Sequence, residues 1–334
     1  MGKPMLFVTQ PIETSAMERL QEVMDVEVHP DASRPISKED LIQGVRRNDH
    51  LFVRLHDAVD GEIMDANPGL KFIATMASSP GAIDVAAANQ RKIPLTGRKK
   101  ATKDVIFEEV ADLALGLMIT VARRIVEGDH LARTSIFPGC QSPYITGAAV
   151  FEKTLGVVGM GRIGEAVARR ARGFNMEILY SDINRYPEIE ERLGAGHTSL
   201  EDLLKRSDYV SLHPALTPET RHMIGARELS LMKPTAFLIN TARGPLVDQE
   251  AIIKALQSNE IAGAGLDVFE DESNLLPKAL VALENVVLTP HLGSGVADKR
   301  EIMTHAVIDR ILAFLEGNTP GDFFFNPEIF EGEK

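Results

Sequence analysis

Short apolar runs alternate with amphipathic segments over the first hundred residues. The apolar runs are MLFVT, VEVH, HLFVRL and LKFIATM, and the segments between them include ETSAMERLQEVM and SKEDLIQGV. Short apolar runs predict strands, and the intervening segments have the spacing of amphipathic helices. Because parallel neighbours need a crossover connection, this alternation predicts a small parallel sheet in a first domain.

A second, longer series of the same kind begins at Lys153. Its apolar runs are TLGVVG, EILYSD, YVSLH, AFLIN, AGAGLDVF and NVVLTPH, with predicted helices between them. Apolar strands bounded by Gly, Pro and helices are typical of a parallel sheet that is buried on both faces. The second domain is therefore predicted to be doubly wound, with ligands at the carboxyl ends of its strands.

Two helical patterns flank this second series. From Val105 to Val126 the apolar residues surround the helix axis, so this helix must be covered on most sides. Packing against its own domain and against a second subunit would cover it, which predicts a homodimer through the second domain. The tail from Val296 to Leu315 is one more amphipathic helix, which we expect to return to the first domain. The expected domains are residues 1–102 with 296–334, and residues 103–295.

Composition narrows the class of protein. The 334 residues include 36 basic and 48 acidic side chains, which gives a net charge of −12 and disfavours nucleic-acid binding. A single cysteine, Cys140, excludes an intrachain disulfide. The most apolar stretch, Val110 to Ala122, is too short to span a membrane, and the first residues lack the pattern of a signal peptide. We therefore expect a cytoplasmic protein with neither a nucleic-acid nor a membrane partner.

The strongest motif is a G-x-G-x-x-G formed by Gly159, Gly161 and Gly164. It follows a predicted strand and opens a helix, and the next strand ends in Asp182, 18 residues after the last glycine. This context is the dinucleotide fingerprint, in which the glycines permit a tight turn, close approach of the pyrophosphate and close helix packing. Asp182 would bind the ribose hydroxyls and repel a 2′-phosphate, so the predicted cofactor is NAD. Arg185 either softens that preference or faces solvent.

Three polar residues come shortly after later predicted strands. They are Arg243 in FLINTARG, Glu272 in GLDVFEDE and His291 in VVLTPH. Each alone is typical of a surface loop or a strand end. Their joint placement behind a dinucleotide motif predicts a catalytic group, in which Glu270 competes with Glu272 for the carboxylate role. No metal site is predicted.

The motifs GMGRIG, INTARG, GLDVFEDE and TPHLGS, in this order and spacing, resemble the D-isomer-specific 2-hydroxyacid dehydrogenase family. That family includes glyoxylate and hydroxypyruvate reductases, D-lactate dehydrogenases and phosphoglycerate dehydrogenases. The resemblance implies an α/β protein with two doubly wound parallel-sheet domains, a Rossmann NAD-binding domain and a smaller flavodoxin-like substrate domain. It places the family's catalytic residues on Arg243, Glu272 and His291, and its nicotinamide-amide partner on Asp267. Further implied cofactor contacts are Arg162, Ile163, Pro214, Thr241, Ala242, Arg243, His291, Gly293 and Ser294.

The reduction of a 2-oxo acid needs these residue types. The carbonyl oxygen must receive a proton, and an imidazole, with an unperturbed pKa of about 6.5, suits that task near neutral pH. A carboxylate beside the imidazole favours its charged form and orients it. A guanidinium offers a planar, permanently charged partner for the substrate carboxylate.

The expected substrate contacts lie in the first domain and depart from the family pattern. Ser79 and Pro80, in ASSPGAID, stand where the family usually has Gly and an apolar or aromatic residue. Ser78 and Ser79 either bind the substrate carboxylate or form an ordinary turn. Arg54, at the end of a predicted strand, either adds a positive charge to the site or lies on the surface. The basic segment GRKKATK, with Lys99, Lys100 and Lys103, either contacts an anionic substrate or is solvated.

The expected function is NAD-dependent interconversion of a small D-2-hydroxy acid and its 2-oxo acid. Glyoxylate or hydroxypyruvate type substrates are favoured by the resemblance alone. One alternative keeps the enzyme but gives it a larger or dianionic acid. A second alternative is a non-catalytic, NAD(H)-sensing protein, because corepressors of the C-terminal-binding-protein kind resemble the family and keep the same Arg, Glu and His.

Overall fold

The computed structural model describes residues 2–31, 33–98, 106–134, 145–272, 275–318 and 323–330. It divides into two compact units, Met1–Val105 with Ala297–Lys334, and Ile106–Val296. Within the described ranges, none of the helices combines the length and the apolar character that crossing a membrane requires. The expected cytoplasmic location stays a prediction. The sequence predictions for Cys140, Lys99, Lys100 and Lys103 fall outside the described residues.

The first unit contains a parallel five-stranded sheet in the order β2-β1-β3-β4-β5. Its strands are β1 (Met5–Val8), β2 (Asp25–Val28), β3 (His50–Val53), β4 (Phe72–Thr75) and β5 (Leu95–Thr96). Its first helices are α1 (Thr14–Val23), α2 (Lys38–Arg47), α3 (Gly61–Asp65) and α4 (Val85–Gln90). Ser37, Asp60 and Asp84 each cap the helix that follows, because their side chains accept a hydrogen bond from its first turn. This strand order is the flavodoxin-like one.

The second unit contains a parallel seven-stranded sheet in the order β12-β11-β10-β9-β6-β7-β8. Its strands are β6 (Thr154–Val158), β7 (Glu177–Ser181), β8 (Gly196–His197), β9 (Tyr209–Leu212), β10 (Phe237–Asn240), β11 (Gly263–Leu266) and β12 (Val286–Leu288). β6 pairs with β7 on one side and with β9 on the other, so the strand order reverses at β6. The predicted pair of doubly wound parallel sheets is therefore confirmed, and the general rule for such sheets places a ligand at the carboxyl ends of β6 and β9.

Helices cover both faces of the second sheet. They are α5 (Phe107–Ala122), α6 (Ile125–Thr134), α7 (Arg162–Ala171), α8 (Pro187–Leu193), α9 (Leu200–Arg206), α10 (Ala226–Leu231), α11 (Gln249–Gln257) and α12 (Lys278–Val281). Leu155, Val157 and Ile239 pack in one core with α5 and α7. Val210 and Leu212 pack on the opposite face, with α9, α10 and α11. The strands are thus buried on both sides, as their apolar sequences require.

The helices α5 and α6 differ in how far the chain itself covers their apolar side chains. Helix α5 carries eight buried side chains and packs against α7 and against β10 to β12 of its own unit. Its apolar surface is therefore covered largely within one chain. The neighbouring helix α6 has no buried residue and leaves Ile125 and Val126 about half exposed, at 49% and 58%.

The last helix, α13 (Ala297–Leu315), belongs to the first unit. Its Val307 and Ile308 are fully buried in a core that includes Leu6 of β1. On the surface, Arg19 of α1 forms an ion pair with Asp309 at 2.7 Å. The chain therefore returns to the first sheet after completing the second.

Candidate active site

The register of the second sheet aligns five strand ends. Residues paired in register across five neighbouring strands are Val158, Leu212, Asn240, Leu266 and Leu288. The next residue on each strand forms what we call the edge row: Gly159, His213, Thr241, Asp267 and Thr289. Because side chains alternate along a strand, the edge row lies on the sheet face that α5 and α7 cover.

The glycine motif forms a tight turn at the first position of the edge row. Gly159 has φ +87°, and an added Cβ there would lie 2.7 Å from the backbone nitrogen of Pro214. A Cβ at Gly164 would lie 2.1 Å from the carbonyl oxygen of Gly159. At Gly161, which precedes the first turn of α7, a Cβ would meet nothing within 4 Å. The first and third glycines are thus required by the chain's own packing, whereas the middle one faces open space at a helix N-terminus, as a phosphate site requires.

Asp182 connects the end of β7 to the glycine turn. Its Oδ2 accepts a hydrogen bond from the backbone of Met160 at 2.7 Å, and its Oδ1 accepts one from the backbone of Asn184 at 2.9 Å. Arg185 donates to both carboxylate oxygens of Glu190, each at 2.9 Å. The guanidinium is therefore held by an acid of its own segment.

Asp267 is fully buried and holds the loop that follows β12. Its Oδ1 accepts hydrogen bonds from Thr289 Oγ1 at 2.6 Å and from the backbone of Leu292 at 2.7 Å. Its Oδ2 accepts from the backbone of Gly293 at 2.9 Å. The predicted cofactor segment that contains Gly293 and Ser294 is thereby fixed to the end of β11.

The structure brings Glu272 and His291 together. His291 Nδ1 lies 2.7 Å from Glu272 Oε2, and the other carboxylate oxygen accepts from the backbone of Phe269 at 3.1 Å. His291 has a left-handed backbone, with φ +55°, and its N–H donates to the carbonyl oxygen of Asp267 at 2.9 Å. Such a conformation costs a non-glycine residue about 1–3 kcal/mol and is typical of functional sites. The carboxylate orients the imidazole and leaves Nε2 as its other ring nitrogen.

Glu270, the competitor for this role, is bound elsewhere. Its Oε1 lies 2.8 Å from Arg221 Nη2 and 2.7 Å from His222 Nε2. Its backbone N–H points to Gln249 Oε1 at 3.4 Å. This arrangement favours Glu272 as the partner of the imidazole and gives Glu270 the task of anchoring the segment that leads to it.

Arg243 lies three residues beyond β10, with an exposed guanidinium that donates to the carbonyl oxygen of Ala242 at 2.6 Å. The Asn240 side chain donates to the carbonyl oxygen of Arg243 at 2.9 Å and steadies the turn. At Gly244 an added Cβ would lie 1.8 Å from the carbonyl oxygen of Phe269. The turn is therefore in direct contact with the loop that follows β11. Sequence reasoning missed both Asn240 and Gly244, although the glycine directly after the arginine was a visible signal.

Two edge-row side chains hold buried polar atoms that have no hydrogen-bond partner among the described residues. They are His213 Nδ1 and Thr241 Oγ1. Thr241 was predicted to contact the cofactor, whereas His213, next to the predicted Pro214, was missed. Its signal was the same as that of His291, an imidazole directly after an apolar run. Unpaired polar atoms on the same sheet edge as the glycine turn fit a ligand with many hydroxyl and phosphate oxygens, such as a dinucleotide.

The three substrate candidates outside this sheet belong to the first unit. Arg54 follows β3, and its guanidinium donates to the carbonyl oxygen of Pro11 at 2.7 Å. Burial lowers the pKa of Arg54. Ser78 and Ser79 are exposed in the bend that follows β4.

Comparison with known proteins places this site in a family. The model of the D-isomer specific 2-hydroxyacid dehydrogenase NAD binding domain matches residues 115–293. A glyoxylate reductase of Thermococcus gammatolerans is 44% identical over 336 residues, which cover 99% of this chain and 98% of that protein. The chain belongs to the D-isomer specific 2-hydroxyacid dehydrogenases.

Solved structures agree with this family along nearly the whole dehydrogenase. The TT0316 protein of Thermus thermophilus has a TM-score of 0.82 at 40% identity, covering 95% of this chain and 98% of that one. A D-lactate dehydrogenase of Aquifex aeolicus, complexed with NAD and lactic acid, has a TM-score of 0.75 at 29% identity, covering 94% and 96%. An NADPH-dependent glyoxylate/hydroxypyruvate reductase of Sinorhizobium meliloti, in complex with NADP and malonate, has a TM-score of 0.71 at 31% identity, covering 95% of each chain.

The prediction of an enzyme is confirmed by this membership. The dehydrogenase is an oxidoreductase that uses a nicotinamide cofactor and acts on a small 2-hydroxy acid or its 2-oxo counterpart.

Proposed function

We propose that this dehydrogenase reduces small 2-oxo acids of the glyoxylate or hydroxypyruvate type with NADH, and that Arg243, Glu272 and His291 are its catalytic residues. The observation that carries the proposal is the 2.7 Å pairing of His291 with Glu272 beside the edge row. The relative named glyoxylate reductase, similar over almost the whole chain, supports the substrate class.

Each catalytic residue has a role that follows from its chemistry. When bound, the nicotinamide cofactor supplies the hydride for reduction and accepts it in the reverse direction. Because His291 Nδ1 faces Glu272, the proton is exchanged with the substrate oxygen at Nε2. Glu272 stabilises the imidazolium that donates this proton. The exposed guanidinium of Arg243 binds the substrate carboxylate through paired, charge-assisted hydrogen bonds.

We further assign the two units their roles in this reaction. The NAD-binding domain spans residues 103–295, and the substrate domain spans residues 1–102 with 296–334. Arg54, Ser78 and Ser79 are the proposed substrate contacts of the first unit. The proposed cofactor contacts are Gly159, Gly161, Arg162, Ile163, Gly164, Asp182, Pro214, Thr241, Ala242, Arg243, Asp267, His291, Gly293 and Ser294.

The test of the reaction is turnover on a panel of 2-oxo acids. Purified protein, NADH and glyoxylate, hydroxypyruvate, pyruvate or a larger dianionic acid are mixed, and the loss of the reduced-nicotinamide absorbance is followed. We expect the highest kcat/KM with glyoxylate and hydroxypyruvate. A preference for the dianionic acid would overturn the proposed substrate class, and no turnover on any acid would overturn the proposed reaction.

Cofactor binding can be separated from folding at the glycine turn. Gly161→Ala adds a methyl group that meets no atom of the chain, so we expect a raised Kd for NADH with at most a small loss of stability at the helix N-terminus. Gly173→Ala, at another position of the same unit with nothing within 4 Å, is the matched control and should leave the Kd unchanged. Equal Kd values for the two variants would place the dinucleotide elsewhere.

The preference for NAD over NADP is proposed from two contacts. The Asp182 carboxylate would repel a 2′-phosphate, and Arg185 is already bound by Glu190. Asp182→Asn should narrow the NADH over NADPH preference in kcat/KM by about tenfold, which corresponds to about 1.4 kcal/mol. Glu188→Gln removes an exposed charge from the neighbouring helix and should leave the preference unchanged. An unchanged ratio in Asp182→Asn would contradict this basis for cofactor choice.

We also propose that the dehydrogenase is a homodimer through α6. This helix has no buried side chain, and it borders a groove of about 900 Å³ in its own unit, lined by residues that include Val121, Val126 and Phe237. A second copy of α6 is the occupant that fits, since each copy would cover the exposed Ile125 and Val126 of the other. Val126→Arg should convert a dimer into a monomer in analytical ultracentrifugation, while Val23→Arg, on α1, should not. A wild-type monomer would overturn the proposal.

A further inference from the structure

Two adjacent positions of the edge row carry buried polar atoms without partners among the described residues. His213 follows β9 and Thr241 follows β10, and the residues just before them, Leu212 and Asn240, pair in register. A buried donor or acceptor left unpaired costs about 1–3 kcal/mol. Such groups in a native structure need an explanation, and a bound ligand at the carboxyl edge of the sheet supplies one.

The environment of His213 defines which of its ring atoms is available. Its Nε2 lies 2.9 Å from Ser211 Oγ, on the same strand, and its backbone N–H donates to the carbonyl oxygen of Val158 at 2.8 Å. Burial lowers the pKa of His213 to about 3, so the imidazole is neutral at physiological pH. A neutral imidazole has one donor and one acceptor nitrogen, and Ser211 engages Nε2. Nδ1 is therefore the atom left to meet a ligand.

The position of His213 within the edge row indicates which part of the cofactor it meets. It stands one strand from Gly159, where the pyrophosphate is proposed to bind, and two strands from Asp267, the proposed partner of the nicotinamide amide. Neighbouring strands are about 4.8 Å apart, so this interval corresponds to the sugar between the pyrophosphate and the nicotinamide ring. The ribose hydroxyls both donate and accept, so they pair with either tautomer.

We propose that His213 is a further cofactor-contacting residue of this dehydrogenase, whose Nδ1 hydrogen-bonds to the ribose on the nicotinamide side of the bound dinucleotide. Ser211 is its positioning residue, because its hydroxyl holds Nε2 and thereby the orientation of the ring. This inference rests on the proposed binding of NADH at the glycine turn.

The test compares two ligands in one set of variants. His213→Leu should raise the Kd for NADH about threefold to tenfold, as expected for the loss of one neutral hydrogen bond, when binding is followed by nicotinamide fluorescence. The Kd for AMP, which lacks the nicotinamide half, should stay unchanged in a competition titration. His213→Asn, which keeps a polar atom close to the position of Nδ1, should recover most of the NADH affinity.

A control on the same strand separates the contact from its structural setting. Tyr209→Phe removes a hydrogen bond from the Tyr209 hydroxyl to the carbonyl oxygen of Ala149, 2.8 Å long, at the other end of β9. It should lower the melting temperature without changing the Kd for NADH. In ¹⁵N-labelled wild type, the Nδ1 resonance of His213, assigned by its absence from His213→Asn, should shift on addition of NADH and stay in place on addition of AMP.

The outcomes distinguish this inference from the proposed function. An unchanged Kd for NADH in His213→Leu, or equal losses for NADH and AMP, would overturn the inference while wild-type NADH binding keeps the proposed function intact. A wild-type protein that does not bind NADH would overturn both.

Discussion

The carboxyl edges of the two sheets differ in how their buried polar atoms are hydrogen-bonded. At the carboxyl edge of the first sheet, buried Asp57 accepts hydrogen bonds from Thr9 Oγ1 at 2.5 Å and from the backbone of Arg54 at 2.7 Å. At the carboxyl edge of the second sheet, His213 and Thr241 keep buried polar atoms that no described residue satisfies. Most buried polar atoms of the first edge have hydrogen-bond partners in their own chain, whereas on the second edge two buried polar atoms have none among the described residues.

The difference shows that architecture alone does not locate the binding site. Both units are parallel, doubly wound sheets, and the general rule places a ligand at the carboxyl end of either one. The edges differ in the number of unpaired buried atoms, since the second edge has two on adjacent strands, and such groups in a native structure need an explanation, for which a ligand is one candidate. One carboxylate oxygen of Glu13 is the corresponding atom on the first edge, where it lies close to the charge of Arg54.

The largest effect is expected at the paired imidazole of the second edge. His291→Ala should lower kcat by a factor of about 10² to 10⁴, since it removes the proton donor, and should leave the Kd for NADH nearly unchanged. His305→Ala, on α13 of the first unit, is the control and should keep kcat within about twofold of wild type. Unchanged turnover in His291→Ala would remove His291 from the proposed reaction.

The next-largest effect is expected at Asp57, on the carboxyl edge of the first sheet. Asp57→Ala leaves the Thr9 hydroxyl and the Arg54 N–H without their acceptor, so the free energy of unfolding should fall by about 2–3 kcal/mol. Urea unfolding measures this loss, and a fluorescence titration should give an unchanged Kd for NADH. A weakened affinity for NADH would mean that the first edge also takes part in cofactor binding.

A pH effect should arise from the second edge. Burial lowers the pKa of His213 to about 3 in the folded protein, whereas an unfolded histidine titrates near 6.5. As the pH falls below about 6.5, the unfolded chain binds a proton that the folded chain does not, so stability is lost. Between pH 7 and pH 5 this loss amounts to about 2 kcal/mol.

The measurement for this effect is urea unfolding at both pH values in wild type and in His213→Asn, which lacks the titrating ring. We expect the variant to lose about 2 kcal/mol less than wild type over the same interval. Equal losses would show that His213 is charged in the folded protein or that its ring is solvated.

The smallest effects are expected from one threonine-to-valine substitution on each edge, and these two variants can be compared directly. Thr241→Val removes an unpaired hydroxyl, so the free energy of unfolding should stay constant or rise by up to about 1 kcal/mol, while the Kd for NADH rises about twofold to tenfold. Thr9→Val removes a hydroxyl that donates to Asp57, so stability should fall by about 1 kcal/mol with no change in the Kd. The opposite pattern would contradict the distinction between the edges.

Much of the fold could be predicted from local sequence patterns. The alternation of apolar runs and amphipathic segments gave both parallel sheets, because a buried parallel strand and its crossover helix each leave a short-range periodicity. The glycine turn was equally accessible, since the spacing of Gly159, Gly161 and Gly164 reflects backbone geometry within a few residues.

The position of His213, which was missed, depends on register between distant strands. Nothing near His213 in sequence indicates that Val158, Leu212 and Asn240 align, and this alignment is what places its ring between the glycine turn and Asp267. The second subunit expected from the helix over Val105–Val126 stays a prediction. Apolar residues on most sides of a helix show that it is covered, but they do not show which neighbour covers it.

The close contact at Gly244 bears on attempts to redesign the substrate range. A side chain at this position would collide with the Phe269 carbonyl oxygen, so the loops that carry the guanidinium and the acid cannot be varied independently. Libraries that diversify position 244 would be dominated by misfolded members. Substitutions at the exposed Ser78 and Ser79, the proposed substrate contacts, would leave the contact between these two loops unchanged.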